Sequence, residues 1–285
     1  VAHDGGDAKS AVGRLNDPTR LALLELSLDP DVVRDTFPFS VPTIATLREI
    51  RFDTAVTLCV GDNGTGKSTL LEAIALAADL PSAGSVELAR DVSLDAVRPL
   101  AAALRLRWSA RSRQGCFFRA EDFLGFVRRI ESTRAELRAA ADQVGIDKAW
   151  QGEGEVRRAQ APFTGQIAAL TARHGTDADA RSHGEAFLAF FRERLCRRGL
   201  FVLDEAEVAL SPVRQLAFLT LLREAERVGA QVIMATHAPI VLAYPGATIL
   251  SFDGGRIQPV RFYELEHVVL TRSILADPDA FTRHL

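Results

Sequence analysis

Lysine is nearly absent from this chain of 285 residues: Lys9, Lys67 and Lys148 are the whole set, and arginine supplies the rest of the positive charge. A bias of that kind says little about what the arginines do. There is no basic excess either. The formal net charge is -3 and the isoelectric point about 6.1, so the strongly basic balance common in nucleic-acid binders is missing overall. Cysteine is sparse, with Cys59, Cys116 and Cys196 far apart and no CxxC pair. That excludes a disulfide framework and a paired-cysteine zinc site, and a reducing, cytoplasmic location is expected. No run of about 18 apolar residues occurs, which excludes a membrane-spanning helix; action at a membrane would require a partner. Internal repeats, low-complexity tracts and long heptad runs are also lacking, so no coiled-coil rod is expected. Residues Val1–Asn16 are polar and glycine-containing, unlike a signal peptide, and read as a disordered start.

What is present is ordinary globular material, 47% hydrophobic and 25% charged. Short apolar runs at Leu21–Leu28, Thr46–Phe52, Ala55–Val60, Leu104–Trp108, Gly115–Phe118, Leu200–Leu203 and Gln231–Ala235 read as strands. Helices are expected over Lys67–Leu80, Asp122–Val144, Ala186–Arg197 and Pro212–Arg227. A hairpin is expected around Asp253-Gly254-Gly255, and two short helices broken at Asp277-Pro278. Gly152–Gly175 reads as loop with room for a short helix. The alternation predicts an α/β fold with a mostly parallel central sheet and antiparallel strands at its edge. The expected division is a disordered segment 1–16 and one domain 17–285, with a mainly helical insertion at about 82–181.

Gly61-Asp62-Asn63-Gly64-Thr65-Gly66-Lys67-Ser68-Thr69 fits G-x-x-x-x-G-K-[ST], between a buried strand and a helix. Glycines let such a loop curl until successive N–H groups point inward as an anion nest, and the helix start adds its dipole. Lys67 then neutralises the β- and γ-phosphates of ATP, and the Ser68 hydroxyl is placed to ligate Mg²⁺. Further along, Leu200–Leu203 ends in Asp204-Glu205. Charge begins where a buried strand meets ligand or solvent, so Asp204 becomes the Mg²⁺-side carboxylate and Glu205 the general base for the attacking water.

Four motifs in this order resemble the ABC superfamily of P-loop ATPases. Ser182-His183-Gly184-Glu185 looks like the signature motif, Ala206–Ser211 occupies the place of the D-loop, and Thr236-His237 follows the next strand where the family has its switch histidine. The variants are similar to stand-alone soluble AAA-family ATPases related to chromosome-maintenance and RecF-like proteins. Arg181, Ala206 and Ala238 depart from the usual leucine, proline and serine without removing a catalytic group. The resemblance implies an ABC-type fold and Mg-dependent ATP hydrolysis. It further implies an ATP-dependent homodimer in which the signature acts in trans, and a His237 that contacts the γ-phosphate. A Q-loop residue near Mg²⁺ falls to Glu121, with Gln114 as rival. Ser182 and Glu185 also read as a capping box for the following helix.

The adenine-stacking aromatic stays open among Phe37, Phe39 and Phe52. Two readings stand for the arginines between Arg105 and Arg138, a nucleic-acid surface or a solvated helical face. Service to DNA maintenance or phage defence, the nucleotide subunit of a transporter and an ATP-sensing module are the competing functions. Any effector would come from another chain.

Overall fold

The computed structural model describes residues 21–31, 35–83, 88–109, 114–174, 180–208 and 210–283. The expected disordered segment 1–16 lies outside the described residues, as do some helix side chains, among them those of Glu121, Ser182 and His183.

Three strands build an antiparallel side sheet. β1 (Leu23–Leu28) lies between β2 (Glu49–Arg51) and the later β4 (Leu104–Trp108). A short helix, α1 (Pro42–Ala45), precedes β2, with proline in its first turn. The main sheet starts with β3 (Val56–Val60), buried at every residue, as a strand covered on both faces must be. Its order is β5 (Gly115–Arg119), β6 (Leu200–Asp204), β7 (Gln231–Ala235), β3, β8 (Thr248–Ser251) and β9 (Gln258–Pro259). All pairs are parallel except β8 with β9.

The period-2 alternation of each strand splits the core in two. On one face Cys59, Val202 and Ile233 pack with the side sheet and with α2 (Lys67–Ala77), the helix after β3, and α3 (Arg98–Ala103). On the other, Leu58, Leu203 and Met234 pack beneath α6 (Ala180–Leu195) and α7 (Pro212–Arg227). Phe118 of β5, Phe187 and Phe191 of α6 and Phe218 of α7 are fully buried there in edge-to-face and tilted contacts. Gln231 joins the two sheets. Its Oε1 accepts from the N–H of Ala22 at 3.0 Å and of Leu23 at 2.8 Å, and its Nε2 donates to the Leu23 carbonyl at 2.8 Å.

Between β5 and β6 the chain makes two long helices, α4 (Ala120–Lys148) and α5 (Glu153–His174), which pack on each other. Here the expectation of a loop over Gly152–Gly175 is corrected. Gly154, Pro162 and Gly165 are poor helix formers, but α5 gains its stability from α4: Gln160 donates to the Ala141 carbonyl at 3.0 Å, and Arg134 donates to the Leu170 carbonyl at 3.2 Å. The helical insertion expected over 82–181 is narrower in the structure. β4 and β5 fall inside those bounds and belong to the two sheets, leaving residues 120–174 as the helical hairpin. The chain closes with α8 (Pro239–Leu242), α9 (Glu266–Ala276) and α10 (Pro278–Thr282), the last two parted at Asp277 as the sequence predicts. No helix among the described residues is long and apolar enough to cross a membrane.

Strand register sets where chemistry is possible. Arg119 lies beside Asp204, Asp204 beside Ala235, and Ala235 beside Cys59. The loops after β3, β5, β6, β7 and β8 therefore leave the sheet at one edge, its carboxyl end, where ligands of open α/β sheets sit.

Candidate functional site at the carboxyl edge of the sheet

The loop between β3 and α2 is tightly braced. Gly66 caps α2 with φ 96°, and a Cβ there would come within 2.8 Å of Thr43 Oγ1 and 2.9 Å of Val41 Cγ1. Both the left-handed backbone and the close approach require glycine. Thr43 of α1 donates its hydroxyl to the Thr65 carbonyl, and Thr65 Oγ1 donates to the Asp62 carbonyl at 2.8 Å. From the other side, Asp253 Oδ1 accepts the Asp62 N–H at 2.9 Å. Lys67 is 6% exposed, and its ammonium donates to the carbonyls of Gly61 at 2.6 Å and Asp62 at 2.9 Å. Burial pushes its pKa down, while Glu205, Asp204 and Asp253 work to keep the charge. Asp62, Asn63 and Gly64 are exposed at the tip of the loop. Ser68 is exposed and Thr69 half-buried on the first turn of α2.

Asp204 ends β6 as a buried carboxylate. Burial pushes its pKa up to about 6; the Ser68 hydroxyl, hydrogen-bonded to it, pulls the other way, Glu205 pushes further up, and Lys67 and Arg119 oppose. One oxygen, Oδ1, is buried without a hydrogen-bond partner. A buried acceptor without a donor, next to a serine hydroxyl, is a donor set that suits a hard divalent cation. Among the described residues no cluster of three or more His, Cys, Asp or Glu could hold a metal, so such a cation would depend on phosphate oxygens and water for its other ligands.

Glu205 has φ 50°, a left-handed conformation rare for a residue with a side chain. Its N–H is fixed to the Ala235 carbonyl at 3.0 Å, and its carboxylate is part-exposed. His237 Nε2 stands 3.8 Å from Glu205 Oε1, near enough for mutual influence and too far for a hydrogen bond. Burial lowers the pKa of His237, Lys67 lowers it further, and Glu205 partly compensates; the neutral ring is favoured.

These groups open into two adjoining cavities. One of 380 Å³ is lined by Asp62, Asn63, Glu205, Glu207, Val208 and His237. The other, of 610 Å³, runs over Gly61–Thr65 and is walled by Thr43, Phe252, Asp253 and His267. Phe39 and Phe52 lie instead in the hydrophobic core, and Phe37 is exposed.

The structure brings together Asp62–Thr69, Asp204, Glu205 and His237. It does not bring Gly184 or Glu185 of the signature segment to the same cleft. Gly184 is buried on α6, where a Cβ would come within 2.5 Å of the Arg214 side chain, and Glu185 pairs with Arg214 at 3.4 Å. Neither residue lines either cavity. Ser182 falls within α6, which is helical from Ala180, so it does not cap that helix as the S-x-x-E pattern suggested. Gln114 precedes β5, at the strand end away from Asp204, which removes it from the site; Glu121, in the first turn of α4, keeps its backbone at the correct end.

Sequence reasoning missed several residues. Arg119 sits beside Asp204 and is paired with Asp91 at 2.5 Å and Glu72 at 3.4 Å. Glu207 and Thr236 bond to each other behind His237. Arg119 belongs to no motif, and although Glu207 and Thr236 lie in the segments matched to the D-loop and the switch histidine, the bond between them is not legible there; each acquires its role only when β5, β6 and β7 are laid side by side.

Residues 44–85 match the family model described as an AAA domain, a stretch that runs from α1 through the phosphate loop and α2. The match contains the phosphate loop, set in an α/β fold with a mostly parallel central sheet and an antiparallel side sheet. Among solved structures, the Smc head domain with an extended coiled coil bound to the C-terminal domain of ScpA, from Pyrococcus furiosus, is 12% identical. It covers 88% of this chain and 99% of its own, with a TM-score of 0.44. The ADP conformation of an ATP-binding cassette of an ABC transporter is 14% identical over 90% of this chain and 96% of its own, with a TM-score of 0.42. A nucleotide-free cassette from an ABC transporter is 15% identical over 93% and 99%, also with a TM-score of 0.42. No curated protein matches the chain.

Proposed function

We propose that this chain binds Mg-ATP and hydrolyses it to ADP and phosphate, and that ATP brings two copies together. The observation that carries the reading is the convergence, at one sheet edge, of a braced phosphate loop, the Ser68–Asp204 pair with its unpartnered buried oxygen, and Glu205 with His237 at 3.8 Å. In this reading the backbone amides of Asp62–Thr69 and the Lys67 ammonium hold the phosphates, Lys67 exchanging its carbonyl partners for phosphate oxygens. Ser68 and Asp204 hold Mg²⁺, which offsets the charge on the β- and γ-phosphates. Glu205, held over the cleft by its left-handed backbone, accepts the proton of the attacking water. Neutral His237 donates a hydrogen bond to the γ-phosphate and keeps water and Glu205 in line.

The arginines that crowd together in sequence are dispersed in the fold. Arg105 and Arg107 pair with Asp29 and Glu25 on the side sheet, Arg119 pairs with Asp91 and Glu72 beside the site, Arg134 is buried in the hairpin, and Arg128, Arg129 and Arg138 are exposed on α4; Arg111 and Arg113 lie outside the described residues. That favours a partner protein over an extended nucleic-acid surface as the link to any larger process.

The test is calorimetric titration of Mg-ATP into the parent chain and Lys67→Ala. The alanine variant should bind on the order of 100-fold more weakly, since the phosphates lose their buried counter-charge. Equal affinity in the two proteins would remove the reading.

A further inference from the structure

We propose that Glu207 is a positioning residue for turnover: it holds the His237 segment in register with Glu205 from behind. The proposal rests on the ATPase reading above.

Glu207 follows β6 by three residues and is 4% exposed. Its Oε1 accepts the Thr236 hydroxyl, at short range, and the His237 N–H at 3.1 Å. The Ala238 N–H in turn donates to Thr236 Oγ1 at 3.1 Å. Two successive residues after β7 are thus tied directly to one side chain after β6, and a third through Thr236. The same two segments are joined a second time by the Glu205 N–H to Ala235 carbonyl bond at 3.0 Å. His237 and Glu205 therefore cannot move apart without breaking one of these ties, and Glu207 itself lines the 380 Å³ cavity they share.

A plain turn would not need this arrangement. A buried carboxylate is costly: burial pushes the Glu207 pKa up, and the hydroxyl and amide donors around it pull the other way. Its Oε2 is buried with no hydrogen-bond partner. A neutral side chain could close the turn at lower cost. What the carboxylate adds is several strong, directional bonds to the segment that carries His237. Phosphoryl transfer depends chiefly on positioning, so displacement of that histidine by a fraction of an ångström would act on the chemical step and leave ground-state nucleotide binding, made by the phosphate loop, alone.

The experiment measures steady-state ATPase rates and calorimetric Mg-ATP affinity for the parent chain, Glu207→Ala, Thr236→Val, His237→Ala and the Glu207→Ala/His237→Ala pair. Thermal melts establish that each is folded. Glu207→Ala should lose on the order of 10- to 100-fold in kcat, with Kd within about twofold of the parent. Thr236→Val, which deletes one tie only, should lose less, in kcat alone, and decides the matter if Glu207→Ala does not fold. The double variant should be no slower than His237→Ala by more than about twofold, because Glu207 acts through that histidine. Losses that multiply in the double variant, or a Kd that weakens in step with kcat, would overturn the proposal. An inactive parent chain sinks the ATPase reading and this one with it; an active parent with unchanged rates in Glu207→Ala and Thr236→Val sinks only this one.

Discussion

Glu72 shows how a single buried group writes the site into the stability of the fold. It sits on α2, one turn beyond Ser68, facing Arg119 at 3.4 Å. Burial pushes its pKa from 4.5 up to about 7, outweighing the pull of Arg119. Below about pH 4.5 the carboxyl is protonated in folded and unfolded chains alike and costs nothing. Between there and about pH 7 the unfolded chain ionises first, so stability falls as pH rises, and above pH 7 the loss is complete. Glu72→Gln removes that loss. Its melting temperature should exceed the parent's at pH 8, by the equivalent of on the order of 2 kcal/mol, with little difference at pH 4.5. A gap independent of pH would mean that Arg119 holds Glu72 charged throughout. At this scale the legible residues were those that sit in a spaced motif: Lys67 and Ser68 follow their glycines, and Asp204-Glu205 ends an apolar run. The roles of Glu72, Arg119 and Glu207 were illegible because no local pattern marks them; the partners in their ion pairs and in the tie to His237 are 28 to 47 residues away in sequence.

Among the elements, regular periodicity decided what could be read. β3, β6, β7, α2 and α7 carry apolar runs or stripes bounded by Gly, Pro or charge, and they appear where the sequence places them. α5 was hidden because its glycines and proline weaken the local signal, and packing on α4 supplies what propensity withholds. The junction of the two sheets was equally hidden, since it hangs on one glutamine. Gln231 is 1% exposed and satisfies two N–H groups and one carbonyl of the segment that enters β1. Gln231→Leu would leave all three buried without partners, and the chain should lose about 2–5 kcal/mol of stability. Denaturant melts give the size. Hydrogen exchange gives the place: the amides of Ala22 and Leu23 should lose protection before those of β3. Uniform loss of protection across both sheets would show that the side sheet does not open separately.

For the whole molecule, the question is what completes the cleft. The signature segment sits on α6, with Gly184 against Arg214 and Glu185 exposed, and neither of these two residues lines a cavity of its own chain. Asp62, Asn63 and Gly64 meanwhile present an open loop tip beside the exposed Val208. A segment that the family resemblance assigns to nucleotide, yet whose Gly184 and Glu185 stand outside its own nucleotide cleft, fits a second copy reaching across. ATP would then lie between two chains, with affinity for the dimer that hydrolysis removes. Slowing hydrolysis should trap that state. Glu205→Gln keeps the shape of the side chain and cannot accept water's proton, so it should bind Mg-ATP and turn over slowly. Light scattering of this variant should report the single-chain mass of 31.0 kDa without nucleotide and twice that mass with Mg-ATP. Replacing Glu185 with arginine in the same background should weaken the doubling and leave nucleotide affinity unchanged, because the defect lies on the face offered to the partner. A variant that binds Mg-ATP and stays at the single-chain mass would instead make α6 an ordinary packed helix, and the second half of the site would have to come from a different protein.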